Sequence, residues 1–162
     1  MATPEQMPGE PKTTERGVFV REVVHVELTP HEAFRLFTEG IADWWPLEEG
    51  YSYGGDRARD VFLEPFAGGR FYERFVDGDE LQVGTVTICA PPNRIQFTWR
   101  SPDWQADTEV EVRFTAAEAG TLIELEHRGW ERLGPAGETL ARKWAGGWPR
   151  VIQAFAQRAA RQ

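Results

Sequence analysis

KWAGGWPRVI, residues 143 to 152, sets two glycines and a proline inside the best helical stretch of the chain. Around it Leu140, Trp144, Trp148, Val151, Ile152, Phe155 and Ala159 recur three or four residues apart, so one apolar stripe runs through the interruption. A helix is therefore expected from about Ala136 to the end, with Arg158 and Arg161 suited to its negative pole. Glycine costs about 1 kcal/mol relative to alanine in a helix, and it lets the helix approach a neighbouring backbone closely. Gly147 lies between Trp144 and Trp148, where two indoles need room. Pro149 removes the N–H that would bond the Ala145 carbonyl and biases Trp148 away from helical backbone, which predicts a kink. A bent helix over a curved sheet leaves a gap, and a cavity there is the first functional expectation. The alternative is that the glycine pair only separates two abutting helices.

The sheet beneath that helix is legible upstream. VFVREVVHVEL (18–28) alternates, with Val18, Val20, Val24, Val26 and Leu28 on one face and Arg21, His25 and Glu27 on the other; Glu22 breaks the apolar face. TPHEAFRLF follows, with Thr29 as N-cap, Pro30 at the first helical position and Glu32 closing a capping box. IADWWP reads as a second short helical turn, and residues 47–56 form a glycine-rich loop. Six short β-rich runs then occupy residues 57–128, separated by PFAGG, DGDE, APPN, SPDWQ and EAG. Links this short require an antiparallel meander. A sheet of seven strands must cover one face, and the terminal helix is the only long element available for it.

Composition narrows the function. The 162 residues suit one domain, and seven Trp with ten Phe point to a large apolar interior. A net charge of −8 opposes binding to nucleic acid or anionic membrane. Cys89 is the one cysteine, so there is no internal disulfide and no thiolate zinc cluster. Three scattered histidines argue against any metal, and no cofactor motif such as a P-loop or dinucleotide fingerprint occurs. No apolar run reaches the ~20 residues of a membrane span. Residues 1–16 are polar and proline-rich, unlike a secretory signal, and read as a disordered tail. The cytoplasm is the expected compartment.

Trp44-Trp45-Pro46, Gly68-Gly69-Arg70-Phe71, the run Pro91-Pro92-Asn93-Arg94-Ile95-Gln96-Phe97-Thr98-Trp99, His127-Arg128-Gly129-Trp130 and Gly147-Trp148 occur in an order that resembles a known family. The chain resembles the START/SRPBCC superfamily, and more closely the activator of heat shock protein 90 ATPase homologues, over roughly residues 18–160. The resemblance implies an α+β helix-grip fold, like that of birch pollen allergen. Its parts are a seven-stranded curved antiparallel sheet wrapped around a long C-terminal helix, with two short helices between strands 1 and 2. Residues 17–162 would then be a START/SRPBCC-like ligand-binding domain with a hydrophobic cavity between sheet and helix. It implies no reaction, because function must be argued from the site. The co-chaperone that gives the family its name carries a further N-terminal domain. Only a short tail precedes the first strand here, so a chaperone partner is allowed but not favoured.

The expected cavity lining is Trp44, Trp45, Phe71, Glu73, Phe75, Phe97, Trp99, Val112, His127, Trp144 and Trp148. Alternation puts Glu73 on one face with Phe71 and Phe75, so a carboxylate points inward as ligand anchor or general acid, or else pairs with an arginine at the rim. His127 shares a face with Ile123 and Leu125; it either meets a polar ligand group or is a satisfied core histidine. No catalytic residue is assigned; Glu73 and His127 are the acid–base candidates if there is a reaction. Three functions follow in order: binding of a small hydrophobic or amphipathic ligand, catalysis on such a ligand, and co-chaperone-like regulation of a chaperone ATPase. A homodimer is compatible with all three.

Overall fold

A computed structural model of the protein describes residues 10–14 and 17–162. The strands are β1 (Lys12–Thr14), β2 (Gly17–Val26), β3 (Asp60–Leu63), β4 (Arg70–Arg74), β5 (Glu80–Ala90), β6 (Arg94–Trp99), β7 (Thr108–Ala117) and β8 (Gly120–Arg128). They form one open antiparallel sheet in the order β1-β2-β8-β7-β6-β5-β4-β3. β3 to β8 are the expected meander, and β2 closes against β8 through pairs such as Val20 with His127. The sheet therefore has eight strands where seven were expected. The additional one comes from the presumed tail: Lys12 pairs with Phe19 and Thr14 with Gly17, filling backbone groups that an edge strand leaves open. The rest of that tail, residues 1–9 and 15–16, lies outside the described residues.

Helix α1 (Pro30–Phe37) begins as its sequence dictates. The Thr29 side chain accepts from the Glu32 N–H, the Glu32 carboxylate accepts from the Thr29 N–H, and Pro30 occupies the first turn. Single turns follow at Ile41–Asp43, Leu47–Glu49 and Gly55–Arg57. The terminal helix, α2 (Gly137–Ala159), is a single α-helix, which excludes two abutting helices. Trp148 stays helical despite the following proline. Packing outweighs the local bias here, because Ala145, Trp148, Val151, Ile152 and Phe155 are all buried on both sides of Pro149.

The core is dense at one end of the molecule. Phe34 and Phe37 of α1 meet Phe114 of β7 edge-on, at ring separations of 5.3 and 5.8 Å, and Phe37 reaches Phe155 of α2 at 5.4 Å. Val110, Val112, Ile123 and Leu125 lie beneath them without exposure. The other end, where α2 begins and β3 to β6 run, is not filled.

Candidate functional site

A cavity of about 360 Å³ opens at that unfilled end. Its floor is the inner face of the sheet, with Val61 on β3, Phe71 and Glu73 on β4, Val83 on β5 and Trp99 on β6. Its roof is the first half of α2, through Lys143, Trp144, Gly147, Trp148 and Val151. Trp45 and the segment Gly50–Tyr53 close the remaining side. The glycines work differently from expectation. A Cβ on Gly146 would meet nothing within 4 Å, and one on Gly147 would touch only Tyr51 Cε1, at 3.4 Å. No neighbouring backbone is approached; Gly147 leaves its volume to the cavity.

The walls are aromatic. Trp45 and Trp99 lie at 6.2 Å in a stacked arrangement, while Trp148 meets both edge-on at 6.0 and 5.6 Å. Phe71 contacts Trp45 at 5.4 Å and Trp99 at 5.0 Å. Such rings present broad apolar faces with little side-chain entropy to lose.

One carboxylate enters this apolar space. Alternation along β4 turns Phe71, Glu73 and Phe75 inward, and Glu73 is only 3% exposed. Its Oε1 accepts from Ser52 Oγ at 2.5 Å and its Oε2 from the Tyr53 N–H at 2.8 Å. A rim arginine, the alternative partner expected from the sequence, does not hold it; a hydroxyl and an amide do. The same loop is fixed at other points. Trp45 Nε1 donates to the Tyr51 carbonyl at 2.8 Å, and Trp99 Nε1 donates to Tyr53 Oη at 3.1 Å. Tyr53 Oη also bonds Ser101 Oγ at 2.5 Å, and burial pushes its phenol pKa up, so the hydroxyl stays neutral. Outside, Arg150 grips Glu49 with both ends of its fork, at 2.7 and 2.6 Å.

A family model of the activator of Hsp90 ATPase homolog 1-like proteins matches residues 27–160. The chain belongs to that family. Comparison with curated protein sequences gives no match. Among solved structures, an anthrahydroquino-γ-pyrone synthase is 30% identical, with a TM-score of 0.59, over 96% of this chain and 99% of that one. A protein from Mesorhizobium loti is 20% identical, with a TM-score of 0.62, over 86% and 94%. The Aha1 dimer from Colwellia psychrerythraea is 17% identical, with a TM-score of 0.57, over 86% and 96%. The latter two likenesses bear on the fold alone.

Within this Hsp90-activator-like fold, the residues expected at the cavity divide into two groups. Trp45, Phe71, Glu73, Trp99, Trp144 and Trp148 line it. Trp44, Phe75, Phe97, Val112 and His127 do not. Trp44 is core and donates its indole N–H to the Leu36 carbonyl at 2.9 Å. Phe75 lies under Gly54, Phe97 stacks behind Phe71 at 5.4 Å, and Val112 is sealed in the packed end.

His127 is inward, as alternation required, but sits one layer behind the wall. Trp148 Nε1 donates to its Nδ1 at 3.0 Å. An indole nitrogen only donates, so Nδ1 carries no proton and the hydrogen is on Nε2. Nε2 then donates to Thr108 Oγ1 at 2.7 Å, and Thr108 donates to the Trp99 carbonyl at 2.8 Å. Burial lowers the His127 pKa well below its ordinary value. With no exposure and both ring nitrogens satisfied, this is a structural histidine that aims the Trp148 indole of the wall and, through Thr108, ties the Trp99 backbone. Catalysis by Glu73 and His127 on one guest has no geometric basis.

Ser52, Tyr53 and Lys143 also line the cavity, although no motif in the sequence marks them. Among the described residues, no group of three or more His, Cys, Asp or Glu could hold a metal ion. No helix among them is long and apolar enough to cross a membrane. The outer sheet face is charged: Glu111, 2% exposed, pairs with Arg113 at 3.0 Å, Arg128 at 2.8 Å and Arg94 at 2.5 Å. The exposed large apolar residues Val23, Phe66 and Val76 lie on three separate segments.

Proposed function

We propose that the protein binds a small hydrophobic or amphipathic molecule in the cavity between α2 and the sheet. The observation that carries this is an aromatic-walled space of about 360 Å³ with a single buried carboxylate in it. That volume is in the range of small-molecule sites, which combine apolar walls with a few placed polar groups. The charged outer face supports ligand binding over a co-chaperone role, which calls for an exposed apolar patch. The test is a titration of planar aromatic compounds followed by tryptophan fluorescence, since Trp45, Trp99, Trp144 and Trp148 all line the space. Quenching that Gly147→Leu abolishes supports the proposal; a panel that leaves the fluorescence of the native protein unchanged defeats it.

A second reading is catalysis on such a molecule. It is favoured by the 30% identity to an anthrahydroquino-γ-pyrone synthase across nearly the whole of both chains. Here Glu73 would serve as the proton-transferring group, being the carboxylate that reaches the interior. Turnover of an aromatic polyketide by the native protein and its loss in Glu73→Gln would separate this reading from binding alone.

A further inference from the structure

We infer, building on the binding reading above, that the cavity takes an aromatic molecule in one orientation, with a neutral hydrogen-bond donor at the buried end and an anionic group at the mouth. Two charged side chains line the space, and they sit at opposite depths. Glu73 is almost wholly buried, whereas Lys143 is exposed on α2, where the cavity meets solvent.

The buried end selects a donor. Each Glu73 oxygen accepts one hydrogen bond from the Ser52–Tyr53 segment, and an ionised carboxylate offers about four lone-pair sites in all. Two acceptor positions are left for a guest. An anion brought there would meet a like charge in an apolar surround, which is costly. A hydroxyl or N–H group would instead form a charge-assisted bond, roughly twice as strong as a neutral one. The neighbouring Tyr53 hydroxyl is already engaged by Trp99 and Ser101, so Glu73 is the group with capacity to spare.

The mouth selects an anion. The chain carries a net charge of −8, and most of its arginines are taken up in ion pairs, including Arg150 with Glu49 and Arg142 with Glu138. Lys143 lies between those two arginines in sequence and makes no ion pair among the described residues. A cation left unmatched at the rim of an apolar site in an acidic protein suits a carboxylate or phenolate on the guest.

Calorimetric titration of the full chain with three naphthalene probes tests this. The probes are 6-hydroxy-2-naphthoate, which has donor and anion at opposite ends, 2-naphthol, which has only the donor, and 6-methoxy-2-naphthoate, which has only the anion. The hydroxynaphthoate is expected to bind tightest. Lys143→Met should weaken it about three- to five-fold, the scale of an exposed ion pair, and leave 2-naphthol unchanged. Glu73→Gln should shrink the advantage of the hydroxy over the methoxy probe. If 2-naphthol binds as well as the hydroxynaphthoate and Lys143→Met alters neither, the orientation is overturned while the binding reading stands. If none of the three binds, the binding reading fails and takes this inference with it.

Discussion

Trp148 and His127 are joined by a 3.0 Å hydrogen bond in which the indole donates to Nδ1, so the cavity wall is aimed by a histidine that never reaches the cavity. The bond exists only while the imidazole is neutral.

A pH dependence of stability follows. Burial holds the His127 pKa well below 6.5 in the folded chain, while the unfolded chain titrates near that value. Below about pH 6.5 the unfolded state binds more protons, so stability is full above that pH and falls as pH drops towards the folded pKa. The slope from one such group approaches about 1.4 kcal/mol per pH unit. Urea unfolding at about pH 7 and about pH 5.5 should show this slope in the native protein and a shallower one in His127→Gln. Equal slopes would mean that His127 is reached by protons without unfolding.

Glu73→Ala removes the acceptor of the Ser52 hydroxyl and the Tyr53 amide together. Leaving buried donors unpaired costs about 1–3 kcal/mol. The loss should also be local, with faster hydrogen exchange at the Tyr53 amide. Unchanged exchange there would show that the loop is held by Trp45 and Trp99 alone.

The two glycines of α2 should part company. A side chain on Gly146 meets open space, so Gly146→Ala should stabilise the helix by about 1 kcal/mol and leave binding untouched. Gly147→Leu should fold, because its Cβ makes only an ordinary contact with Tyr51, and should lose ligand affinity as its side chain takes up cavity volume. Thermal unfolding and probe titration on both variants check the pair. Equal affinities would place the guest elsewhere.

Trp148→Ala is expected to cost about 3–5 kcal/mol, the range for a buried aromatic. A loss well below that, measured by denaturant titration, would mean that the indole faces more empty space than packed atoms.

Alternation made the inward direction of Glu73, Trp99 and His127 legible, because strand neighbours must point to opposite faces. Depth was not legible. Phe97, Val112 and His127 share the inner face with Trp99, yet only Trp99 lies where the floor is uncovered. That depends on which part of α2 crosses which strand. Ser52 and Tyr53 were hidden for a related reason: their partner Glu73 is some twenty residues away, and nothing in a glycine-rich loop announces it. The glycines misled because local rules name what glycine permits, close approach or empty space, without saying which. The strand of Lys12–Thr14 is too short and polar to stand out, and only its pairing with β2 makes it a strand.

The pairing of β2 with β8 also fixes an order of events at the ribosome. β2 is synthesised before the meander, but its partner β8 is the last meander strand to emerge, and α2 comes later still. Until then its valines and open backbone edge face solvent or a protecting factor, since non-local pairing waits on the far end of the chain. A nascent chain arrested before Gly120 should be captured by chaperones, whereas one released after Ala159 should resist protease.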